Sequence, residues 1–337
     1  MLTRLDIRRL DPFDDTQMRR FHEIAWRAEM EDGRPWNSQY TYMEMAAFLR
    51  EPTDDHLREG FCVYDGGEMV GAGVLERSLL DNLDKAYVFA FVEPERRGRG
   101  IGGALLEALV EEARELGRRQ LLSFGALAFE ERESADVLRF GAVHGFEIAS
   151  TEILRTLRLP VADGLLERLS QETAAYQEGY SVETYVDAMP ERYLESYCAL
   201  LNLLVVDAPS GSVEFEAERV TPAVQQRKQE RNARMGRRTY LAVAVRDGVA
   251  VAQSDLVVPP GATGQAHQMG TFVHREHRGH RLGTAVKVAN LAALQRAHPE
   301  VTAVHTQNAE DNGWMVAINE RLGFEPVGVC PAFVRNL

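Results

Sequence analysis

Arg97-Gly98-Arg99-Gly100-Ile101-Gly102 ends an apolar, strand-like run (87–92) and opens a strongly helical one. A weaker copy, Arg278-Gly279-His280-Arg281-Leu282-Gly283, stands 181 positions later (278 − 97) in the same setting. Such a loop lines up backbone N–H groups at a helix N-terminus, where the partial positive charge favours a phosphate. Gly100 and Gly102 let the backbone approach a pyrophosphate with no side chain between. Arg97 and Arg99 add charge-assisted contacts to phosphate oxygens. The plain alternative is a glycine-rich turn with solvated arginines. The strand before, the helix after and the second copy favour the phosphate.

Two further landmarks recur. Asp65-Gly66-Gly67 marks a hairpin turn, and Asp247-Gly248 follows it by 182 positions (247 − 65). Gly323-Phe324 stands 178 positions after Gly145-Phe146 (323 − 145). Three landmarks at nearly one offset predict a tandem repeat of a whole α/β domain. The expected division is 1–159 for the first domain, 160–179 for a linker and 180–337 for the second. The linker is partly helical, with Leu165, Leu166 and Leu169 on one face. In the first domain the spacing predicts strands at 1–10, 61–64, 69–75, 87–92 and 121–124. It predicts helices from Asp14, at 42–49, at 102–116 and at 135–143, and a hairpin-like pair of strands over 146–159. The second domain repeats the pattern, with its central strand at 268–273, a helix at 282–297 and another at 313–322.

With 337 residues, 45% hydrophobic and 26% charged, the chain reads as an ordinary globular protein with material for two cores. A net charge of −13 argues against general affinity for nucleic acid or anionic membranes. The positive charge gathers in the two loops instead. Cys62, Cys198 and Cys330 are far apart and odd in number, so they predict neither a metal site nor a disulfide framework, only inert thiols. The stretch beginning Met1-Leu2-Thr3-Arg4 has no apolar core of signal-peptide length, and a cytoplasmic location is expected.

Chemistry narrows the nucleotide. A dinucleotide fold carries its glycines after the first strand, with an acid about 20 residues on. Here the loop follows the fourth predicted strand, and the following segment offers Arg118 and Arg119 but no acid. A nucleoside-triphosphate loop needs a lysine and a Ser/Thr after its glycines, and both are missing.

The loop resembles the acetyl-CoA loop Q/R-x-x-G-x-G/A of the GCN5-related N-acetyltransferase (GNAT) family. The likeness covers essentially the whole chain twice, and the layout resembles tandem acetyltransferases of the mycothiol synthase type. His277–Gly283 and the run from Asn308 through Asn312 to Phe324 are typical of such tandem proteins. The resemblance implies a mixed, mostly antiparallel sheet flanked by helices, splayed at the central strand. It implies acetyl-CoA as the cofactor, held in the first copy by Phe91, Val92, Arg97, Gly98, Arg99, Gly100, Ile101, Gly102 and Gly103. In the second copy the corresponding residues are Phe272, Val273, Arg278, Gly279, His280, Arg281, Leu282, Gly283 and Thr284, joined by Asn308 and Asn312.

The departures bear on catalysis. Arg281 replaces the glycine seen as Gly100. Many family members carry a proton-donating tyrosine four residues before the Gly-Phe pair; here Gly141 and Asn319 hold that slot. The strand acid is also absent, since the slots near Phe89 and Gly270 carry no carboxylate. His267, six residues before Val273, is the remaining candidate base, suited to taking a proton near neutral pH. Asn308 and Asn312 bond the cofactor's amides or cap a helix. Asp255, Glu76 and Tyr87 lie on strands near the clefts and read as incidental. Acetyl transfer to an amine needs little beyond orientation and the removal of one proton. The expected function is an acetyl-CoA-dependent N-acetyltransferase acting on a small-molecule amine. The alternative is a catalytically weak tandem acyl-CoA-binding protein with a regulatory or scaffold role.

Overall fold

A computed structural model describes residues 5–30, 40–133, 135–207, 211–217, 219–261 and 264–337. The first half runs β1 (Asp6–Arg9), α1 (Asp15–Met30), α2 (Tyr42–Arg50), β2 (His56–Asp65), β3 (Glu68–Ser78), β4 (Lys85–Val92), α3 (Ile101–Glu115), β5 (Gln120–Phe124), α4 (Asp136–Val143) and β6 (Glu147–Arg158). The second runs α5 (Leu165–Ala174), β7 (Ser181–Val186), α6 (Glu191–Asp207), α7 (Pro222–Arg234), β8 (Arg238–Arg246), β9 (Val249–Val258), β10 (Gln265–Val273), α8 (Leu282–Ala297), β11 (Ala303–Ala309), α9 (Gly313–Leu322) and β12 (Glu325–Asn336). The first strand was expected from residue 1; Leu2 lies outside the described residues.

Two compact units result, and neither is a contiguous half of the chain. Unit 1 takes Met1–Glu152, Ser210–Glu214 and Gly328–Leu337; unit 2 takes Ile153–Pro209 and Phe215–Val327. In unit 1 the strand order is β1-β2-β3-β4-β5-β12, and in unit 2 it is β6-β11-β10-β9-β8-β7. The C-terminal strand therefore completes unit 1, with Ala332 opposite Phe124 and Asn336 opposite Gln120. The second half of β6 belongs to unit 2, where Thr156 Oγ1 lies 2.8 Å from His305 Nδ1. Among the paired strands with a described register, β4–β5 and β10–β11 are parallel and the others antiparallel.

The hairpin expected over 146–159 is instead the single strand β6. The segment Ile148-Ala149-Ser150-Thr151-Glu152-Ile153 holds no glycine, proline or asparagine to reverse the chain, and its β-branched residues favour continued extension. The segment expected as a linker contains α5, whose Leu166 and Leu169 are buried with Leu291 and Leu294 of α8 in a core of unit 2.

Each unit packs helices on both sheet faces. In unit 1, Leu105, Leu109 and Val110 of α3 pack on Val63, Leu75 and Val88, joined by Phe146 and Phe333. On the opposite face α1 packs Met18, Phe21 and Ile24 against Cys62 and Ala72. In unit 2, Tyr193 and Tyr197 of α6 pack on Leu241, Val243 and Phe272, while Leu282 and Val286 of α8 cover Ala242 and Ala252. All three cysteines are buried and free, and burial pushes Cys62 and Cys330 up to about 12 and Cys198 to about 11. Their thiolates are thus disfavoured, as expected of inert thiols. No helix among the described residues is long and apolar enough to cross a membrane.

Candidate functional site

In unit 1, β4 stays beside β5 for three residue pairs, Lys85–Tyr87 against Gln120–Leu122. Beyond Tyr87 the two strands part. β5 keeps its other neighbour, β12, so the opening exposes one edge of β4 from Val88 onward. Val88, Phe89, Phe91, Phe124, Phe140 and Phe333 line the cleft, with Leu106 of α3 and Gly141 of α4 in its wall. This wall is apolar and strongly aromatic. A Cβ on Gly141 would already sit 3.4 Å from the Phe333 ring, so a bulky phenol in that slot would require the ring to move.

The loop after β4 has two left-handed residues, Gly98 at φ +73° and Gly100 at φ +78°. Only glycine adopts these at no steric cost. Gly100 caps α3 without a side-chain bond, and the first helical bond runs from Ala104 N–H to Gly100 O. The N–H groups of Ile101, Gly102 and Gly103 therefore have no acceptor within the helix. Ile101 turns its side chain into the core. Gly102 lies close to Val92 and Phe140, and Gly103 to His144. Arg97 reaches back to Ala28 O at 2.9 Å and Arg99 to Glu95 O at 3.2 Å; both are exposed.

Unit 2 repeats this frame. β10 pairs with β11 over Gln265–His267 against Ala303–His305 and then parts from it. Its loop again has two left-handed residues, Gly279 at φ +88° and Arg281 at φ +55°. Arg281 thus adopts the conformation of Gly100, at a cost on the order of 1–2 kcal/mol for a residue with a Cβ. Its guanidinium stacks 4.1 Å from the Tyr176 ring, and His280 Nδ1 lies 3.0 Å from Tyr176 O. Arg278 donates to Asp207 at 2.9 Å, and His277 Nδ1 lies 3.0 Å from Tyr180 OH. The polar side chains of the second loop are thus held by their own unit. Leu282 and Thr284 are buried, while Gly283 packs on Ile318 and Val273. Phe272 turns into the α6 core and contributes only its backbone to the strand edge.

The candidate catalytic residues are spread over both faces of the second sheet. His267 sits at the closed end of the β10–β11 pair, opposite Val257 and His305. Burial and the nearby Arg237 push it down to about 4. It is a neutral, weakly basic imidazole at pH 7, which departs from the near-neutral base expected from its position. Asp255 is partly buried on the same sheet face, two residues along β9 from Val257, and accepts from Tyr197 OH. Desolvation raises its carboxyl to about 6. Among the residues set aside as incidental, Asp255 carries the proton affinity suited to neutral pH; Glu76 is bound to Arg58, and Tyr87 packs edge-on to Phe124. At the acid slot, a Cβ on Gly270 would come within 2.4 Å of Leu204 Cδ2, so a carboxylate there would require the Leu204 side chain to move.

On the opposite face, Asn319 is fully buried and donates from Nδ2 to Asn308 Oδ1 at 2.5 Å. Asn312 caps α9, its Oδ1 accepting from Met315 N at 3.3 Å. Helix capping accounts for Asn312, and Asn308 enters a side-chain network. That network begins at Lys287, which sequence reading passed over: its Nζ donates to Asn319 Oδ1 at 2.6 Å. A signal existed, since Lys287 interrupts the apolar run Ala285-Val286-Lys287-Val288-Ala289 and falls 181 positions after Leu106.

Comparison with known proteins agrees with this frame. Residues 18–136 match the model of the acetyltransferase (GNAT) family. A mycothiol acetyltransferase of Rothia mucilaginosa (strain DY-18) is 27% identical over 158 residues, 47% of this chain. That match takes in 44% of the relative, so the likeness spans less than half of it. A tandem GNAT protein from the clavulanic acid biosynthesis pathway superposes with a TM-score of 0.80 at 28% identity, over 98% of both chains. A GCN5-related N-acetyltransferase from Sphaerobacter thermophilus shares the fold at a TM-score of 0.61 and 15% identity, over 99% of this chain and 96% of that one. Two splayed sheets, each feeding a left-handed loop at a helix start, agree with these matches: residues 18–136 match the GNAT family, and the chain as a whole is similar to a tandem GNAT protein.

Proposed function

We propose that the chain is an acetyl-CoA-dependent N-acetyltransferase acting on the amine of a small molecule, with turnover in unit 2. The observation that carries this reading is the parting of a parallel strand pair in each unit. Each parted strand then runs into a left-handed loop at a helix start. The chain's groups fit the cofactor. The N–H groups of Ile101, Gly102 and Gly103, and of Leu282, Gly283 and Thr284, suit a pyrophosphate. The edge of β4 beyond Tyr87, at Phe91 and Val92, and that of β10 at Phe272 and Val273 offer strand hydrogen bonds to an amide-bearing arm. Acetyl-CoA supplies the acyl group as an activated thioester.

What the protein adds is orientation and a place for one proton. Asp255 is ionised at pH 7, with a carboxyl raised to about 6, and is the better matched acceptor for the proton of an ammonium. His267 serves as a second candidate on the same face. Small-molecule acceptors are supported by the names of two similar proteins, the mycothiol acetyltransferase and the clavulanic-acid-pathway protein. The net charge of −13 favours a cationic one, such as an amino sugar or polyamine. The apolar cleft of unit 1 suits binding without turnover.

The test is calorimetry of the full chain with acetyl-CoA, followed by labelled acetyl transfer to a panel of amino sugars and polyamines. Binding together with transfer to at least one amine is expected. Asp255→Asn should lower kcat/KM more than His267→Ala and flatten the acid limb of the pH profile. Absence of acetyl-CoA binding would overturn the reading, and tight binding without transfer would return the chain to the scaffold alternative.

A further inference from the structure

The chain has only three lysines, Lys85, Lys228 and Lys287, and uses arginine for nearly all its other positive charge. One of the three is placed inside a core. Lys287 is 1% exposed, on the face of α8 turned toward α9. Its ammonium donates to Asn319 Oδ1 at 2.6 Å, lies 3.9 Å from Met315 Sδ and sits 5.3 Å from the centre of the Phe324 ring. These neighbours carry no negative charge. Burying an ammonium without a carboxylate is costly. Desolvation lowers Lys287 to about 7.

The fold does not require it. At the corresponding positions unit 1 has Leu106 and Gly141, both in the wall of an apolar cleft, and it builds the same strand–loop–helix frame. The charge in unit 2 therefore has another use.

Hydrogen-bond polarity indicates which. In its ammonium form Lys287 has three donors and no acceptor, and Asn319 turns its oxygen toward it. Its Nδ2 is then fixed as a donor to Asn308 Oδ1, at 2.5 Å. With its oxygen occupied, Asn308 has its own Nδ2 left to offer. Asn308 is half-buried on β11, beyond the last residue paired with β10, where those strands have parted. The result is a one-way chain of donors that starts at the buried Lys287 and ends at an amide N–H₂ on the part of β11 beyond its pairing with β10. Donors in such a chain polarise one another, more so in a low-dielectric interior.

We propose that Lys287 is a positioning residue of the second cleft, fixing Asn319 and Asn308 so that an amide donor meets a carbonyl oxygen of the acyl-CoA arm. The inference rests on the function proposed above. Asn308 makes the contact and Lys287 acts through Asn319. Unit 1 has Leu106 and Gly141 at the two corresponding positions, which offer no side-chain donor there.

The test uses the full chain with Gly100→Leu, which removes the first cleft from the titration, and acetyl-CoA as the probe. Two variants are compared. Lys287→Met keeps the volume and removes the charge. Asn319→Asp keeps Lys287 paired, now with a carboxylate, but cannot donate to Asn308. Each should weaken acetyl-CoA binding about tenfold, as the loss of one directed donor would. Asn319→Asp should do so with an unchanged or raised melting temperature, a split that a purely structural lysine would not produce. Labelled-lysine NMR on the parent should show one of three signals titrating well below the other two and shifting when acetyl-CoA is added. Binding within twofold of the parent for both variants, or a lysine signal indifferent to acetyl-CoA, would overturn the proposal while leaving the proposed function standing. No binding by the parent at the second cleft would remove both.

Discussion

At one place in the fold, unit 1 carries Leu106 and Gly141 and unit 2 carries Lys287 and Asn319. Around the first pair the cleft wall is aromatic, and the loop after β4 stands open with two left-handed glycines. Around the second pair a polar chain crosses the core. The second loop is also dressed by its own unit, through Tyr176, Tyr180 and Asp207. A duplicated frame has been filled in two ways, one suited to holding a ligand and one to directing hydrogen bonds at it. The shared frame is backbone: parted parallel strands and a left-handed turn. The difference lies in a few side chains, which is where a site on a common fold acquires its chemistry.

The comparison breaks most visibly if the C-terminal strand is damaged, because unit 1 is completed by residues at the far end of the chain. Phe333 is 5% exposed in the core of unit 1. Phe333→Ala should cost about 3–5 kcal/mol. Hydrogen exchange should show faster opening of α3, β4 and β5, with α8 and β9 little changed. Equal loss of protection in α8 and β9 would show that the two cores do not respond separately.

Transplanting the charge is the next largest perturbation. Leu106→Lys puts an ammonium beside Gly141, where no amide waits for it, and should cost on the order of 3 kcal/mol. The reverse change, Lys287→Met, should leave urea stability within about 1 kcal/mol or raise it, since a well-packed apolar group often replaces a buried charge without loss. Similar costs in both directions would mean that Lys287 is held for stability, and the contrast between the units would dissolve.

The loops come third. Gly100→Leu forces a branched side chain into a left-handed residue and stands it in open space where a phosphate would approach. Acetyl-CoA binding at the first cleft should weaken about 100-fold. Arg281→Leu, at a residue already left-handed with a Cβ, should change the second cleft by less than about threefold. Calorimetry separates the two, and comparable losses would show that both loops need the bare backbone equally.

Acidification gives the smallest effect. Burial lowers both His267 and His305 to about 4, while unfolded imidazoles titrate near 6.5. Between these values the unfolded chain binds more protons, so stability rises with pH and is lost as pH falls from about 6.5 toward 4. Asp255 works the other way, since a carboxyl raised to about 6 gives the folded state the greater proton uptake below that pH. Two histidines against one carboxyl leave a net loss in unit 2 on the order of 1 kcal/mol at about pH 5.5. Exchange protection in β9 and β10 should fall before that in β3 and β4. Asp255→Asn should steepen the fall, and an unchanged slope in that variant would remove Asp255 from the balance.

By itself the sequence determined the repeat, the two loops and the helix that follows each. These features are local: glycines that permit left-handed turns, apolar periodicity and helix starts are written in short windows, and a duplication shows itself as recurring offsets. The family likeness followed from the same windows. Tertiary structure decided which strand closes which sheet. β6 and β12 both read as plain extended segments, and nothing within a strand's own residues names its neighbour. Tertiary structure also decided which polar residues matter. Asp255 looked incidental until burial raised its carboxyl, and His267 looked like a base until burial and Arg237 lowered it. Lys287 was one lysine on an apolar helix until α9 brought Asn319 to its ammonium. Proton affinity and hydrogen-bond direction depend on what the rest of the chain packs around a group, and that surrounding is assembled only when distant segments meet.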